Sequence, residues 1–328
     1  MTLSLRTIKI VFATTIAIFF AKMLHLDYTV AAGIIAILSI SDTKLSSLKT
    51  AGQRIVSTVV ALAIAAVLFQ LFGFTTLIFG LYLLVYVPIA YKLNVQAGIA
   101  PCSVLVSHLL LEQSTSVHWL WNEFLLMMIG ASLAILFNLY MPSKETQIQA
   151  MREAVDEKIK KILLYFDQTL KEGFSGTEDF QLIQELEETL DEAIQVAYTE
   201  LDNQLVNPRF YEIHYFEMRK VQASILKQMA TNLRFCHLPT KQNKILAGLF
   251  YLTAEQLHES NSGTALMQNI QELLNDFRNS PLPQTREEFE NRAVLFQLLN
   301  DFTRFIDVKQ KFYEKYVPET RGTTPDSQ

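Results

Sequence analysis

Apolar and polar positions alternate on two different rhythms along this chain. From Ile55 to Tyr91, 37 successive residues include no Asp, Glu, Lys or Arg. A membrane-spanning helix needs about 20 apolar residues, so this run predicts two spans, at about 54–72 and 74–91. Phe72-Gly73-Phe74-Thr75-Thr76 forms the turn between them. Leu93–Leu111 and Phe124–Ser143 are further charge-free runs of 19 and 20 residues, giving spans at about 94–111 and 121–141. Two more precede Ile55. One covers about 6–24, with Lys9 and Lys22 near its ends, where an ammonium can reach the interface while its stem stays in hydrocarbon. The other, about 28–41, has only the 14 residues Tyr28–Ser41 between Asp27 and Asp42, short for a full crossing.

After Pro142 the rhythm becomes that of amphipathic helices, with Ile159, Ile162, Leu163, Phe166 and Leu170 at three and four spacing. Gly173–Gly176 ends the first of these. Thr177, Glu178 and Asp179 open a second that runs to about Val206. Pro208 and Pro239 bound helices at Tyr211–Phe235 and Lys241–Glu259. Asn261-Ser262-Gly263 breaks the pattern, and Pro281–Gln284 precedes a long last helix, Arg286–Tyr316. The expected fold is therefore all-α: a polytopic membrane bundle of six helices over 1–143, a cytoplasmic helical bundle over 144–318, and a flexible tail over 319–328.

Charge sharpens the division. Residues 1–143 hold Arg6, Lys9, Lys22, Lys44, Lys49, Arg54 and Lys92 against Asp27, Asp42, Glu112 and Glu123, a net charge of +3, and the remainder carries −8 of the total −5. With six spans and both termini cytoplasmic, Arg6, Lys9, Lys44, Lys49, Arg54, Lys92, Lys144 and Arg152 all fall on the inner side. The outer loops hold no Lys or Arg apart from Lys22, as the positive-inside rule expects. Trp119 and Trp121 sit at the outer headgroup level. A cleaved signal peptide fits poorly, because Phe20-Ala21-Lys22 is a poor cleavage site and more spans follow. No basic or basic-aromatic stripe suits nucleic acid. Two cysteines, Cys102 and Cys236, exclude a disulfide framework and a cysteine-rich metal site.

The chain has no G-x-x-x-x-G-K-[ST] phosphate loop, no H-E-x-x-H zinc helix and no G-x-S-x-G elbow. No catalytic residue, metal or cofactor is expected, and the chain reads as a non-enzyme. His214, His237 and His258 are scattered on separate helices. More informative are polar residues inside apolar runs, which are costly in hydrocarbon and usually face a cavity or bundle interior. Gln96, Ala100, Ser103 and Ser107 give the fifth span one small, polar face. His108 and Glu112, four apart, are placed to meet near the outer end as a proton-responsive pair; as helix caps in the headgroup region they would have no such role. Pro88 and Pro101 are read as breaks in the fourth and fifth spans. A short second span and a broken fifth, in corresponding positions of two three-span halves, match a mid-membrane transport site. Ala13, Ala17 and Ala21, and Gly130 with Ala134, form small faces suited to close packing within the chain.

Val106-Ser107-His108-Leu109-Leu110-Leu111-Glu112-Gln113, then His118-Trp119 and Asn122-Glu123, then Phe137-Asn138-Leu139-Tyr140-Met141-Pro142-Ser143 resemble the bacterial aromatic acid exporter family. The helical half resembles the C-terminal domain that accompanies it. The Phe-Asn-Leu-Tyr-Met-Pro-Ser block is the most specific part. Arg54 and Thr58 match the family's pattern at the start of the third span. Ser57 stands where glycine is usual, which calls a close backbone approach there into question. The resemblance implies a plasma-membrane exporter of small organic anions driven by the proton gradient, of the fusaric acid resistance type. It also implies a homodimer. Lys22 or Arg54 would attract a substrate carboxylate, and His108 with Glu112 would couple protons. The alternative is a non-transporting membrane scaffold or stress-signalling protein whose helical bundle binds a partner.

Overall fold

The computed structural model describes residues 3–173, 178–236, 240–257, 264–279 and 281–316. Among the described residues there are twelve α-helices, one 3-10 turn and no strand. The expected features at Ser175 to Thr177, His237, Pro239, His258, Asn261–Gly263 and 319–328 lie outside them. The chain divides into two units: Met1–Ser143 with Thr199–Pro208, and Lys144–Tyr198 with Arg209–Gln328.

The first unit contains α1 (Leu3–Met23), α2 (Val30–Ser39), α3 (Lys44–Phe72), α4 (Thr76–Lys92), a 3-10 turn (Gln96–Gly98) leading into α5 (Ile99–Leu111), and α6 (Val117–Asn138). Of the described helices, α3 and α6 are long and apolar enough to cross a membrane by length and composition; α2, α4 and Gln96–Leu111 are apolar but shorter. At 1.5 Å per residue, the 10 residues of α2 rise about 15 Å, half of a hydrocarbon core of about 30 Å. Helix α3 starts at Lys44, not near 54, because Thr43 caps it: its hydroxyl accepts from the Ser46 amide at 3.2 Å. That polar first stretch carries no hydropathy signal. Helix α6 likewise starts at Val117 rather than near 121, which places Glu123 in its second turn.

Small residues let α2 sit between α1 and α6. Ala13, Ala17 and Ala21 of α1 and Ala131 and Ala134 of α6 are fully buried. A Cβ on Gly130 would stand 2.6 Å from the Ala32 carbonyl oxygen, so only glycine fits that crossing. Apolar surface gives little drive between helices in lipid, so backbone-to-backbone closeness of this kind supplies the packing energy. Three loops close with a non-glycine residue in the left-handed region, His25 (φ 52), Asn94 (φ 56) and Gln113 (φ 48). Each is held by a pair of backbone bonds, such as Leu26 N to Ala21 O at 3.1 Å and His25 N to Lys22 O at 3.0 Å.

The prolines do not break their helices as expected. Helix α4 continues through Pro88. Pro101 lies in the first turn of α5, where its missing N–H would have no intrahelical partner in any case. The interruption in the fifth segment is the turn at Asn94 and the 3-10 stretch before it.

The segment Thr199–Pro208 belongs to the first unit although helices of the second flank it. Its Asp202 carbonyl accepts from the Leu45 amide at 3.0 Å, and the Asn203 side-chain oxygen accepts from the Lys44 amide at 3.1 Å. Two of the first-turn donors of α3 are thereby satisfied.

The second unit comprises α7 (Glu145–Glu172), α8 (Glu178–Leu201), α9 (Tyr211–Leu233), α10 (Lys241–Glu255), α11 (Thr264–Asn279) and α12 (Arg286–Tyr316). Its core packs Phe166, Phe250, Phe302 and Phe305 edge-to-face and stacked, with centroids 4.9–6.2 Å apart. Arg219 is wholly buried at its centre. The guanidinium lies 2.6 Å from Asp156 Oδ1, donates to Tyr215 Oη at 3.2 Å and donates to Gln222 Oε1 at 2.8 Å. Burial pushes the Tyr215 phenol up to about 12, with the Arg219 charge opposing the shift.

Candidate functional site

Two buried polar clusters stand out in the first unit, one near each end of its helices. The first gathers where α1 turns into α2 and α5 turns into α6. His108 Nδ1 lies 2.9 Å from Glu123 Oε2, and the Glu123 side chain is completely buried. Asn122 donates to Glu123 Oε1 at 3.1 Å and accepts from the Asp27 amide at 2.8 Å, which ties α6 to the α1–α2 turn. The Tyr28 ring stacks on the His108 ring at 4.0 Å between centroids with 7° between planes. The Tyr28 hydroxyl donates to Glu112 Oε1 at 2.6 Å. Tyr28 holds φ at 55°, a left-handed conformation that is uncommon for a bulky residue and is kept only where its surroundings impose it.

His108 and Glu112 therefore do not form the expected pair. Each reaches across to another element, because α5 turns away at Glu112 and α6 brings Glu123 to the imidazole. Sequence reasoning left Glu123, Asn122 and Tyr28 out of the site. The available signal was a lone carboxylate and amide directly ahead of the charge-free run from Phe124.

The second cluster lies where α2 ends and α3 begins. Arg54 is buried, and its guanidinium donates to Leu38 O at 2.8 Å, Ala97 O at 3.2 Å and Ile35 O at 3.4 Å, and to the Ser39 hydroxyl. Leu38 is in the last turn of α2, whose carbonyls lack helical partners and form the negative end of the dipole. Arg54 thus closes the short helix, and its donors are occupied instead of turned toward a substrate carboxylate. Next to it, Lys9 is buried and donates to Asn138 Oδ1 at 3.2 Å and toward Met141 Sδ at 3.4 Å. The Asn138 amide donates to Ser41 O at 2.8 Å, to Thr43 O at 3.3 Å and to the Ser47 hydroxyl. Lys9 is therefore turned inward against α6, where its position near a span end suggested an ammonium reaching outward.

Between the clusters, Tyr82 and Tyr86 stack at 5.2 Å and are fully buried. The Tyr86 and Ser57 hydroxyls meet at 2.7 Å, and Thr58 lies 3.3 Å from Cys102 Sγ. Ser57 does take part in a close approach: a Cβ on Gly98 would collide with the Ser57 side chain, so the glycine is on the facing segment. The other predicted residues are placed outside both clusters. Lys22 and Gln96 are exposed. Ser103 and Ser107 give their hydroxyls to Ile99 O at 2.7 Å and Val104 O at 2.6 Å on their own helix. Among the described residues no group of three His, Cys, Asp or Glu is placed to hold a metal.

Residues 1–141 match the family described as "Aromatic acid exporter family member 1", and residues 145–310 match the "Putative aromatic acid exporter C-terminal domain". The chain belongs to the aromatic acid exporter family. Membership in this exporter family points to a membrane transporter and away from an enzyme. A relative is the "Uncharacterized protein YqjA" of Bacillus subtilis (strain 168), 31% identical over 310 residues, which cover 94% of this chain and 95% of the relative. A crystal structure of a "putative membrane protein from Clostridium difficile 630" aligns with 51% of this chain and 99% of its own, at 23% identity and a TM-score of 0.46.

Proposed function

We propose that the chain is a secondary exporter of small aromatic organic acids in the plasma membrane, driven by inward proton flow. In this reading α1 to α6 cross the bilayer, both termini are cytoplasmic, and the second unit is a cytoplasmic bundle. The loop charges support that orientation, because Lys44, Lys49, Arg54 and Lys92 gather at one end and the other end lacks Lys and Arg apart from Lys22. A homodimer is the assembly the family resemblance implies.

The observation that carries the proposal is the His108–Glu123 pair. A carboxylate with no exposure, held by one imidazole and one amide, is costly to keep ionised inside an apolar helix bundle. Proton gain or loss there changes the charge on the α5–α6 contact, and Tyr28, stacked on the imidazole, links that change to the α1–α2 turn. The expected cycle loads protons from the outside and releases acid in exchange.

The test is uptake of benzoate or 4-hydroxybenzoate into inverted vesicles with an imposed pH gradient. His108→Ala and Glu123→Gln should each abolish gradient-driven accumulation while leaving substrate exchange measurable. Accumulation at the wild-type rate in both variants, across pH 5.5 to 8, would remove the proton-coupling role.

A further inference from the structure

The geometry points to Lys9 as the residue that receives the carboxylate of the exported acid, with Asn138 holding its ammonium in place. This deepens the exporter reading and takes the class of anion from it.

Lys9 is 4% exposed and lies in the second turn of α1, directly before the helix's apolar run from Ile10. Its ammonium has three protons to give, and it finds one amide oxygen at 3.2 Å and one weak sulfur acceptor at 3.4 Å. The carboxylate that lies between Ser41 and Thr43 in sequence, Asp42, is engaged by Arg6 at 3.2 Å. The other buried cations described above are answered differently: Arg54 by the carbonyl end of α2, and Arg219 by Asp156. A lysine desolvated against a neutral amide keeps an unbalanced charge, which an apolar interior penalises heavily.

Asn138 makes this arrangement deliberate in chemical terms. Its N–H groups are committed to Ser41 O, Thr43 O and the Ser47 hydroxyl, so the amide cannot turn over and its oxygen faces Lys9. Aspartate at the same place would neutralise the lysine permanently and give up the donors to Ser41 O and Thr43 O. Asparagine orients the ammonium and leaves its charge available to an anion that arrives and departs. The first turn of α3, with Ser47 in the same network, adds the positive end of a helix dipole.

The experiment uses the full chain in nanodiscs of zwitterionic phosphatidylcholine, with benzoate as probe and benzyl alcohol as its uncharged counterpart, read by calorimetry. Lys9→Ala should weaken benzoate binding by about tenfold or more, the scale of a lost charge-assisted hydrogen bond. Lys9→Arg should stay within about threefold. Asn138→Asp places a carboxylate beside Lys9 but gives up the donors to Ser41 O and Thr43 O; it should abolish benzoate binding, and an unfolding midpoint close to that of the wild type separates this loss from a folding defect, so the test stands even if Lys9→Ala fails to fold. Wild-type benzoate affinity in Asn138→Asp, or equal binding of benzyl alcohol, would overturn the assignment. So would discs containing phosphatidylglycerol that raise the midpoint in a Lys9-dependent way while benzoate has no effect, since the occupant would then be a lipid phosphate. Gradient-driven export intact in Lys9→Ala would remove the site and leave the exporter reading standing. Lys9-dependent benzoate binding without any gradient-driven export would do the reverse.

Discussion

Arg54 in the first unit and Arg219 in the second are both buried guanidinium groups, and the two regions accommodate them by opposite means. Around Arg219 the bundle supplies a carboxylate, a phenol and an amide, so a full ionic charge meets the cation. Around Arg54 no carboxylate among the described residues forms an ion pair; a short helix ends, and its Leu38 and Ile35 carbonyls, the Ser39 hydroxyl and the Ala97 carbonyl of the 3-10 turn take the donors. The difference teaches that a region poor in acidic residues can hold a buried cation by ending a helix early. The shortness of α2 is then part of the solution for Arg54, because a longer helix would close those carbonyls on its own amides.

The comparison can be broken most severely at Asp156. Asp156→Ala leaves Arg219 buried without its counter-charge and should cost about 3–5 kcal/mol, seen as a large fall in the denaturation midpoint of the second unit. A loss below about 1 kcal/mol would mean that Tyr215 and Gln222 suffice and that the contrast is false.

Next in size is a proton signature on the bundle side. Burial pushes the Cys236 thiol up to about 11 against an ordinary value near 9, and the Asn243 amide donating at 3.1 Å pulls weakly the other way. The folded state therefore keeps this proton better than the unfolded chain does. Its stabilisation is complete below about pH 9 and is lost as pH rises toward 11, up to about 3 kcal/mol in all. Urea titrations at pH 8 and pH 11 should show that loss, and Cys236→Ser should flatten it. The Tyr215 phenol adds a fall of the same sign from about pH 10 toward 12, a part that Cys236→Ser leaves in place.

Arg54→Gln sharpens the contrast from the other side. An amide still donates to carbonyls, so the cost should be about 1–2 kcal/mol, clearly less than Arg219→Gln, which strands Asp156. Thermal unfolding of the two variants in one detergent compares them directly. At the small end, Lys311→Ala removes an exposed pair with Asp307 at 2.7 Å and should leave the midpoint unchanged within error.

Periodicity and capping made the second unit readable. Thr285 ahead of Arg286, with its hydroxyl accepting from the Glu288 amide at 3.1 Å, is a local signal, and α12 spans Arg286–Tyr316 as the pattern predicts. The brevity of α2 was equally legible, since Asp27 and Asp42 bracket it. The polar extension of α3 from Lys44 was not, because hydropathy registers lipid contact and not helicity. Pro101 looked like a break because sequence alone does not say that a helix begins two residues before it. The site was the least legible part. His108 and Glu112 satisfy helical spacing, yet the partner of His108 is Glu123, and that choice depends on how α5 and α6 pack. Asn138 stood in the most specific family block without a visible reason; its hub of contacts with Lys9, Ser41, Thr43 and Ser47 supplies one.

The backbone bonds from Lys44 and Leu45 to Asn203 and Asp202 also impose an order of events during synthesis. A ribosome finishes α6 long before it reaches residue 203, so the start of α3 must wait, hydrated or frayed, until α8 has been made and the following link folds back. Truncations ending after Ser143 would leave that helix start permanently unfinished, and a nascent chain stalled there should be an easier target for a protease than one released at full length.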